Sequence, residues 1–165
     1  MPVTLKGSCR CGSVRFSVES HTPVPYQLCY CSICRKTAGG GGYAINLGAD
    51  ARTFTVEGED AVSVFRAEIQ DHETGACRTS TGERNFCRGC GTALWLFDPE
   101  WPDLVHPFAS AIDSELPVPP ERVHIMLASK ASWVVQDVGP GDAEFDVYPE
   151  QSIEEWHRTR GLWVD

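Results

Sequence analysis

Apolar and polar residues alternate along several short stretches of the chain, with the period of two that is typical of a half-buried strand. Residues 13–19 show this clearly, because Val14, Phe16 and Val18 are apolar and most of their neighbours are polar or charged. Glycine, proline and acidic turn residues separate similar segments, which predict further strands at residues 26–31, 43–47, 53–56, 62–67, 93–97, 105–112 and 123–128. The pattern therefore predicts a mainly β fold.

Near the C-terminus the pattern changes to that of a helix. Residues 149–158 begin with proline and acidic residues and end with basic residues before Gly161. That order suits the helix dipole and a glycine terminator. Ile153 and Trp156 are three residues apart, so both would face the core from one short C-terminal helix.

The length of 165 residues is that of one domain, long enough to bury a core without disulfides. No internal repeat and no linker composition divides the chain. We therefore expect one domain over residues 1–148, with residues 149–165 forming a helix and tail packed on it.

The charge and the hydropathy of the chain argue against nucleic-acid-binding, membrane and secreted proteins. The net charge of −9 argues against sequence-independent binding to nucleic acid or to anionic membranes. The N-terminus has no apolar secretory segment, and no uncharged stretch approaches the roughly 20 residues that span a bilayer. We expect a soluble cytoplasmic protein with no nucleic-acid or membrane partner, and a homo-oligomer is compatible with the sequence. Thiols stay reduced in the cytoplasm, where clustered cysteines are typical metal ligands.

Seven of the eight cysteines lie in three tight clusters. The C-x-x-C at residues 87–90 is followed by glycine, and a tight turn there would bring two sulfurs to one metal. The C-x-C at residues 9–11 would place both side chains on the same side of an extended strand. The cysteines within residues 29–34 stand where the chain is expected to leave a strand and turn, so three sulfurs can converge.

A structural zinc takes four protein ligands and a catalytic zinc takes three, so seven cysteines suggest one closed and one open site. The economical partition has a triple cluster, Cys29, Cys31 and Cys34, and a four-cysteine set, Cys9, Cys11, Cys87 and Cys90. We predict two Zn²⁺ per chain, with the four-cysteine set structural. In a competing partition the C-x-x-C joins two cysteines of the triple cluster, which leaves the N-terminal pair unused. Disulfides are a further alternative, which an odd cluster of three disfavours.

The remaining thiol, Cys77, has two interpretations. It could complete the triple cluster as a fourth ligand, or it could be a buried free thiol on a strand, which is the commoner fate of a lone cysteine. The five histidines show no ligand spacing, and we interpret them as structural or exposed.

Four stretches of the chain are informative together: GSCRCGSVRF at 7–16, CYCSICRK at 29–36, RNFCRGCGTALW at 84–95 and VHIMLASKASW at 123–133. In this order and spacing they resemble the glutathione-dependent formaldehyde-activating enzyme family, which includes the centromere protein V-like proteins. The resemblance implies packed antiparallel sheets with two zinc sites. It also implies that the four-cysteine set is structural, that the triple cluster is catalytic, and that the activity is a carbon–sulfur lyase reaction joining glutathione and formaldehyde.

One position departs from the family pattern. Family members commonly have histidine between the first two cysteines of the triple cluster, where this chain has Tyr30. In a C-x-C strand that side chain points away from the metal, so metal binding should survive, whereas the surroundings of the metal and the identity of the thiol substrate are affected.

The expected partners are a small-molecule thiol and an aldehyde. Three thiolates on Zn²⁺ leave one position open, where a substrate thiol could bind as thiolate and add to a small aldehyde. Glutathione has two carboxylates, so its pocket should offer cations and free amides. Arg35 and Lys36 follow the triple cluster, and Gly40 and Gly41 lie in a glycine run that could present backbone N–H groups to an anion. The alternative function is a non-catalytic, zinc-stabilised thiol carrier or protein-interaction module.

Overall fold

The computed structural model describes residues 1–24 and 26–165, and within them the fold is mainly β, as predicted. The strands are β1 (Val3–Ser8), β2 (Arg15–Ser20), β3 (Gln27–Cys29), β4 (Ala44–Ile45), β5 (Ala49–Asp50), β6 (Thr55–Glu57), β7 (Val62–Phe65), β8 (Glu68–Gln70), β9 (Cys77–Thr79), β10 (Glu83–Cys87), β11 (Ala93–Phe97), β12 (Leu104–Pro107), β13 (Val123–Ile125) and β14 (Ala143–Glu144). The α-helices are α1 (Ser32–Ala38) and α2 (Ile153–Thr159). Across the described residues, no helix has the length and apolar character needed to cross a membrane.

Two antiparallel sheets enclose the larger core. One has the strand order β1-β2-β6 and the other has the order β5-β12-β11-β10-β7. The alternating residues of β2 turn Phe16 and Val18 inward, as their period of two predicts, and the Phe16 ring lies 5.5 Å from the Trp95 ring of β11. Burial of these side chains and of Leu5 and Leu94, which are fully buried, holds the sheets together.

A smaller core lies beneath a four-stranded sheet of order β14-β13-β3-β4. This sheet is mixed, because β13 runs parallel to both β3 and β14 while β3 and β4 are antiparallel. A parallel pair needs a long crossover connection, and nearly the whole middle of the chain separates β3 from β13. The expectation of antiparallel sheets therefore holds for the other sheets but not for these two strand pairs.

The C-terminal helix is shorter than predicted and begins later. Instead of spanning 149–158, α2 begins at Ile153 because Ser152 caps it. The Ser152 hydroxyl accepts the Glu155 backbone N–H, and the Glu155 carboxylate accepts the Ser152 N–H, which together form a capping box. Trp156 is buried and stacks on Tyr26 at 4.1 Å, which docks the helix on the smaller core. The domain division between residues 148 and 149 stays a prediction.

Several predicted strands end early for local reasons. The strand predicted at 105–112 ends at Pro107 and is followed by a 3₁₀ turn. The strand predicted at 123–128 ends at Ile125, because Met126 takes a left-handed conformation with φ of 61°. The pattern also missed the β8–β9 hairpin and the whole of α1, which follows directly on the cysteine-bearing strand.

Candidate functional site

The four cysteines of the four-cysteine set lie together, with their sulfurs all within 4.8 Å of one another. Cys9 and Cys11 stand in a turn after β1, not along a strand as their spacing predicted. The Cys9–Cys11 and Cys11–Cys87 sulfur distances are 3.5 Å and 3.7 Å. Four thiolates at 2.3 Å around a tetrahedral zinc would lie about 3.8 Å apart, so the donor set fits that ion.

The sulfurs of this set differ in exposure. Cys9 and Cys87 are buried, whereas Cys11 and Cys90 are exposed. Hydrogen bonds from the Thr92 hydroxyl and backbone lower the pKa of Cys90 to about 5. Backbone N–H groups thus stabilise an exposed thiolate here, as expected for a metal-binding turn.

The triple cluster forms where β3 gives way to α1, and its three sulfurs also lie within 4.8 Å of one another. Cys29 is the last residue of β3, Cys31 is the N-cap of α1, and Cys34 lies in the first turn of the helix. The Cys31 sulfur accepts the Cys34 backbone N–H at 3.3 Å. A strand leading into a helix thus brings the three sulfurs together.

Hydrogen bonding and burial make the three thiols of the triple cluster unequal in acidity. Hydrogen bonds with Cys31 and Cys34, together with burial, raise the pKa of Cys29 above its usual range. The hydrogen bond with Cys29 lowers the pKa of Cys34, but the one with Cys31 and burial outweigh it, so that pKa is raised as well. Hydrogen bonds from the Cys29 and Cys34 thiols lower the pKa of Cys31 far below its usual range. Two side chains donate to the Cys34 sulfur, Arg84 through Nη2 at 3.6 Å and Asn46 through Nδ2 at 3.8 Å. Three thiolates are the soft donors that zinc and similar metals prefer, so the cluster fits a metal ion with one position left for another ligand.

A cavity of about 560 Å³ opens beside the triple cluster. This volume lies within the range of small-molecule sites. Tyr148 and Trp101 are large aromatic side chains in its wall that are 66% and 64% exposed, so they lie at its mouth. The other residues that matter for its chemistry are Asn46, Ser80, Arg84, Asp98, His106 and Ser129.

The structure does not bring the residues predicted for the thiol pocket into this cavity. Its lining includes none of Arg35, Lys36, Gly40 and Gly41, whose role in thiol binding stays a prediction. Cys77 lies on β9, as predicted for a strand thiol, but it is exposed rather than buried and belongs to neither cysteine group.

The cation that the cavity does contain, Arg84, was missed from the sequence. It stands three residues before Cys87 and is the first residue of the stretch 84–95, which is one of the four that resemble the family. The pairing of β10 with β7 and β11 determines that the Arg84 side chain reaches the Cys34 sulfur. A short sequence pattern does not reveal strand pairing, so this contact could not be predicted.

Tyr30 points away from the triple cluster into a buried polar network, as its place in the C-x-C predicted. Its hydroxyl donates to His124 Nδ1 at 2.9 Å, and His124 Nε2 in turn donates to Asp142 at 3.3 Å. Arg122 also pairs with Asp142, at 2.9 Å. Burial raises the pKa of Tyr30 to about 12, so the hydroxyl keeps its proton. Burial opposes ionisation of Asp142, but hydrogen bonds from Gly139, Arg122 and His124 lower its pKa to about 2.

Replacing Tyr30 with phenylalanine should lower the free energy of unfolding by about 1–3 kcal/mol, because it leaves the buried His124 Nδ1 without its donor. Urea unfolding followed by tryptophan fluorescence measures this. The matched control is Tyr43→Phe, because the Tyr43 ring packs on Tyr30 at 5.3 Å and its hydroxyl makes no hydrogen bond to a described residue. Equal effects of the two substitutions would contradict the network.

Comparisons with known proteins bear on these cysteine groups. The sequence model of the family described as glutathione-dependent formaldehyde-activating enzyme matches residues 4–129, which include both groups. A Halomonas elongata protein, provisionally named a glutathione-dependent formaldehyde-activating enzyme, is 58% identical over 158 residues, covering 96% of this chain and 97% of that protein. A crystal structure of a Rhodobacter sphaeroides protein is similar with a TM-score of 0.50 and 24% identity, covering 68% of this chain and 91% of that chain. The structural likeness bears on the fold alone.

Proposed function

Since the chain belongs to the glutathione-dependent formaldehyde-activating enzyme family, we propose that it is a zinc-dependent carbon–sulfur lyase. It joins glutathione, or a related thiol, to formaldehyde or a similar small aldehyde and gives the S-hydroxymethyl thiol adduct. The observation that carries the proposal is three sulfurs within 4.8 Å of one another beside a cavity of about 560 Å³. Among the described residues, no fourth histidine, cysteine or carboxylate joins this cluster. Three protein ligands beside a cavity are the arrangement of a catalytic metal rather than a structural one.

Each cysteine group has its own role in this proposal. The four-cysteine set would hold a structural Zn²⁺, and the triple cluster would hold a second one. When bound there, zinc supplies an open coordination position at which a thiol is held as thiolate at neutral pH. Arg84 and Asn46 keep the Cys34 sulfur in its ligand geometry and oppose its negative charge.

Recognition of the thiol falls to the cavity wall. Arg84 is a cation in that wall, and its guanidinium can pair with a substrate carboxylate beside the sulfurs. Apolar side chains, among them Leu96 and Ile125, form much of the remaining surface and exclude water from the reacting atoms. All eight cysteines are free thiols, and the reaction needs them reduced, so we assign it to the cytoplasm.

Titration of cobalt-substituted protein with glutathione tests the proposal. Glutathione should shift the cobalt absorption bands, because it enters the coordination sphere of one of two metals. Exchange NMR should then show adduct formation faster than the uncatalysed reaction of the same thiol and formaldehyde. If no cellular thiol changed the cobalt spectrum, the proposal would be wrong. If a thiol bound but adduct formation were no faster than the uncatalysed reaction, the protein would be a thiol carrier instead.

Arg84→Gln should weaken metal binding at the triple cluster by about 10–100-fold, the usual effect of removing a group that hydrogen-bonds a metal ligand. Chelator competition on cobalt-substituted protein measures the affinity of each site separately. Arg52→Gln is the matched control, because Arg52 is exposed, lies outside the cavity and, among the described residues, forms its ion pair with Asp50. If both variants kept the wild-type affinity, Arg84 would have no role at the metal.

A further inference from the structure

Three side chains in the cavity wall form a row that leads from the triple cluster to His106. Arg84 on β10 pairs with Leu96 on β11, and Leu96 pairs with His106 on β12. Residues directly opposite each other in neighbouring strands point to the same face of a sheet, and all three line the cavity. With strands about 4.8 Å apart, the His106 backbone lies about 10 Å from that of Arg84. A cation at the sulfurs and a histidine thus stand at opposite ends of one row.

The hydrogen bonding of His106 settles which ring nitrogen is available. Its Nδ1 lies 3.0 Å from the Leu47 carbonyl oxygen. A carbonyl oxygen can only accept, so Nδ1 carries the proton and Nε2 carries the lone pair. No described residue hydrogen-bonds Nε2. Burial lowers the pKa of His106, so the ring is neutral at physiological pH and Nε2 can accept a proton.

A second acceptor in the same cavity lacks a partner. The Asn46 side-chain oxygen is buried and has no hydrogen bond, while its nitrogen faces the Cys34 sulfur. Buried polar atoms are nearly always paired, so an orphaned acceptor beside the sulfurs points to a ligand that donates a hydrogen bond. A hydroxymethyl group is such a donor. Asn46 also directly precedes Leu47, the residue that fixes the His106 ring.

We propose that His106 carries the proton of the reaction, an inference that rests on the proposed function. Nε2 takes the proton of the incoming thiol, which leaves a thiolate. The thiolate sulfur forms a bond to the aldehyde carbon, and the carbonyl π pair moves to the oxygen. The protonated His106 then returns its proton to that oxygen, so the hydroxymethyl thioether and neutral histidine result, with no oxidant or other reactant. In the adduct, the new hydroxyl donates to the Asn46 oxygen.

The charged groups around the ring agree with this role. Asp98 lies in the same cavity and favours the protonated ring. A neighbouring cavity on the other side of His106 has the charged residues Asp50, Arg52, Asp103 and Glu154 in its wall, together with His21. Two of those anions are already paired, Asp50 with Arg52 and Glu154 with Arg158. Asp98 is therefore the charged group that stabilises a transient imidazolium.

His106→Asn tests the inference, because the asparagine nitrogen can keep the hydrogen bond to Leu47 while Nε2 is lost. We expect the rate above background to fall by about 100-fold or more, the usual share of a general acid–base group. Added imidazole should restore part of it. Thiol titration by calorimetry, in buffers of different ionisation enthalpy, should show the variant releasing about one more proton per thiol bound than the wild type.

The matched control is His21→Asn. His21 also places Nδ1 against a backbone carbonyl, that of Val164 at 2.6 Å, but it does not line the cysteine cavity. The His21→Asn variant should keep the wild-type reaction rate and release the same number of protons per thiol bound as the wild type. An active wild type with an unaffected His106→Asn variant would overturn this inference alone, as would loss of thiol binding in that variant. A wild type without acceleration would overturn the proposed function, and with it the inference.

Discussion

On the proposed function, Cys87→Ser is expected to reduce the metal content from two ions per chain to one and to lower the melting temperature by 10 °C or more. Cys87 is fully buried, and its sulfur belongs both to the larger core and to the four-cysteine set. Structural zinc sites contribute about 10–16 kcal/mol of apparent binding free energy, whereas whole domains are stable by about 5–15 kcal/mol. Losing even about 5 kcal/mol lowers the melting temperature of a chain of this size by about 10–20 °C.

Circular dichroism melting and metal analysis of the purified variant measure this effect. Cys77→Ser is the matched control, because Cys77 is an exposed thiol outside both cysteine groups, and it should match the wild type. If Cys87→Ser kept two metals and the wild-type melting temperature, the four-cysteine set would not be a structural metal site.

Cys31→Ser should give the opposite result, a stable protein without activity. Metal content should fall from two to one per chain, glutathione should no longer perturb the cobalt spectrum, and the reaction rate should fall to background. The fold should survive, because the serine hydroxyl can accept the Cys34 N–H that the Cys31 sulfur now accepts. Serine is among the preferred N-cap residues, so α1 keeps its start.

The pair of cysteine variants separates the two sites. Metal analysis, a cobalt spectrum with glutathione, and a melting curve for each variant give the full comparison. Retention of two metals by Cys31→Ser would remove the triple cluster as a metal site. Loss of both metals with unfolding would mean that the two groups do not act separately, and the proposed division of roles would be wrong.

The cysteine groups could be predicted because their chemistry is local. Two or three sulfurs within six residues reach one metal whatever the surrounding fold is, and simple counting then divided seven cysteines into four and three. Residues 13–19 could be predicted as well, because a strand with one buried face shows a period of two in its sequence. Residues 93–97 could be predicted for another reason, because they are a short continuous apolar run bounded by turn residues.

The remainder of the site depends on register and on tertiary packing. Arg84 and His106 are ordinary residues in the sequence, and only the pairing of β10, β11 and β12 puts them into one row. Helix α1 has seven residues with Cys34 as its one buried side chain, too little to show a helical period. Arg35 and Lys36 were chosen for closeness in sequence to the cysteines, and a helix directs consecutive side chains to different sides.

Synthesis from the N-terminus separates the two halves of the four-cysteine set in time. Cys11 and Cys87 are 76 residues apart, so the first half of this site leaves the ribosome long before the second. At about 5–20 residues per second, the wait is roughly 4–15 s. During that time the early thiols have no partners and are open to oxidants and to competing metals. The yield of folded protein should therefore depend on zinc supply during synthesis more than on zinc added afterwards.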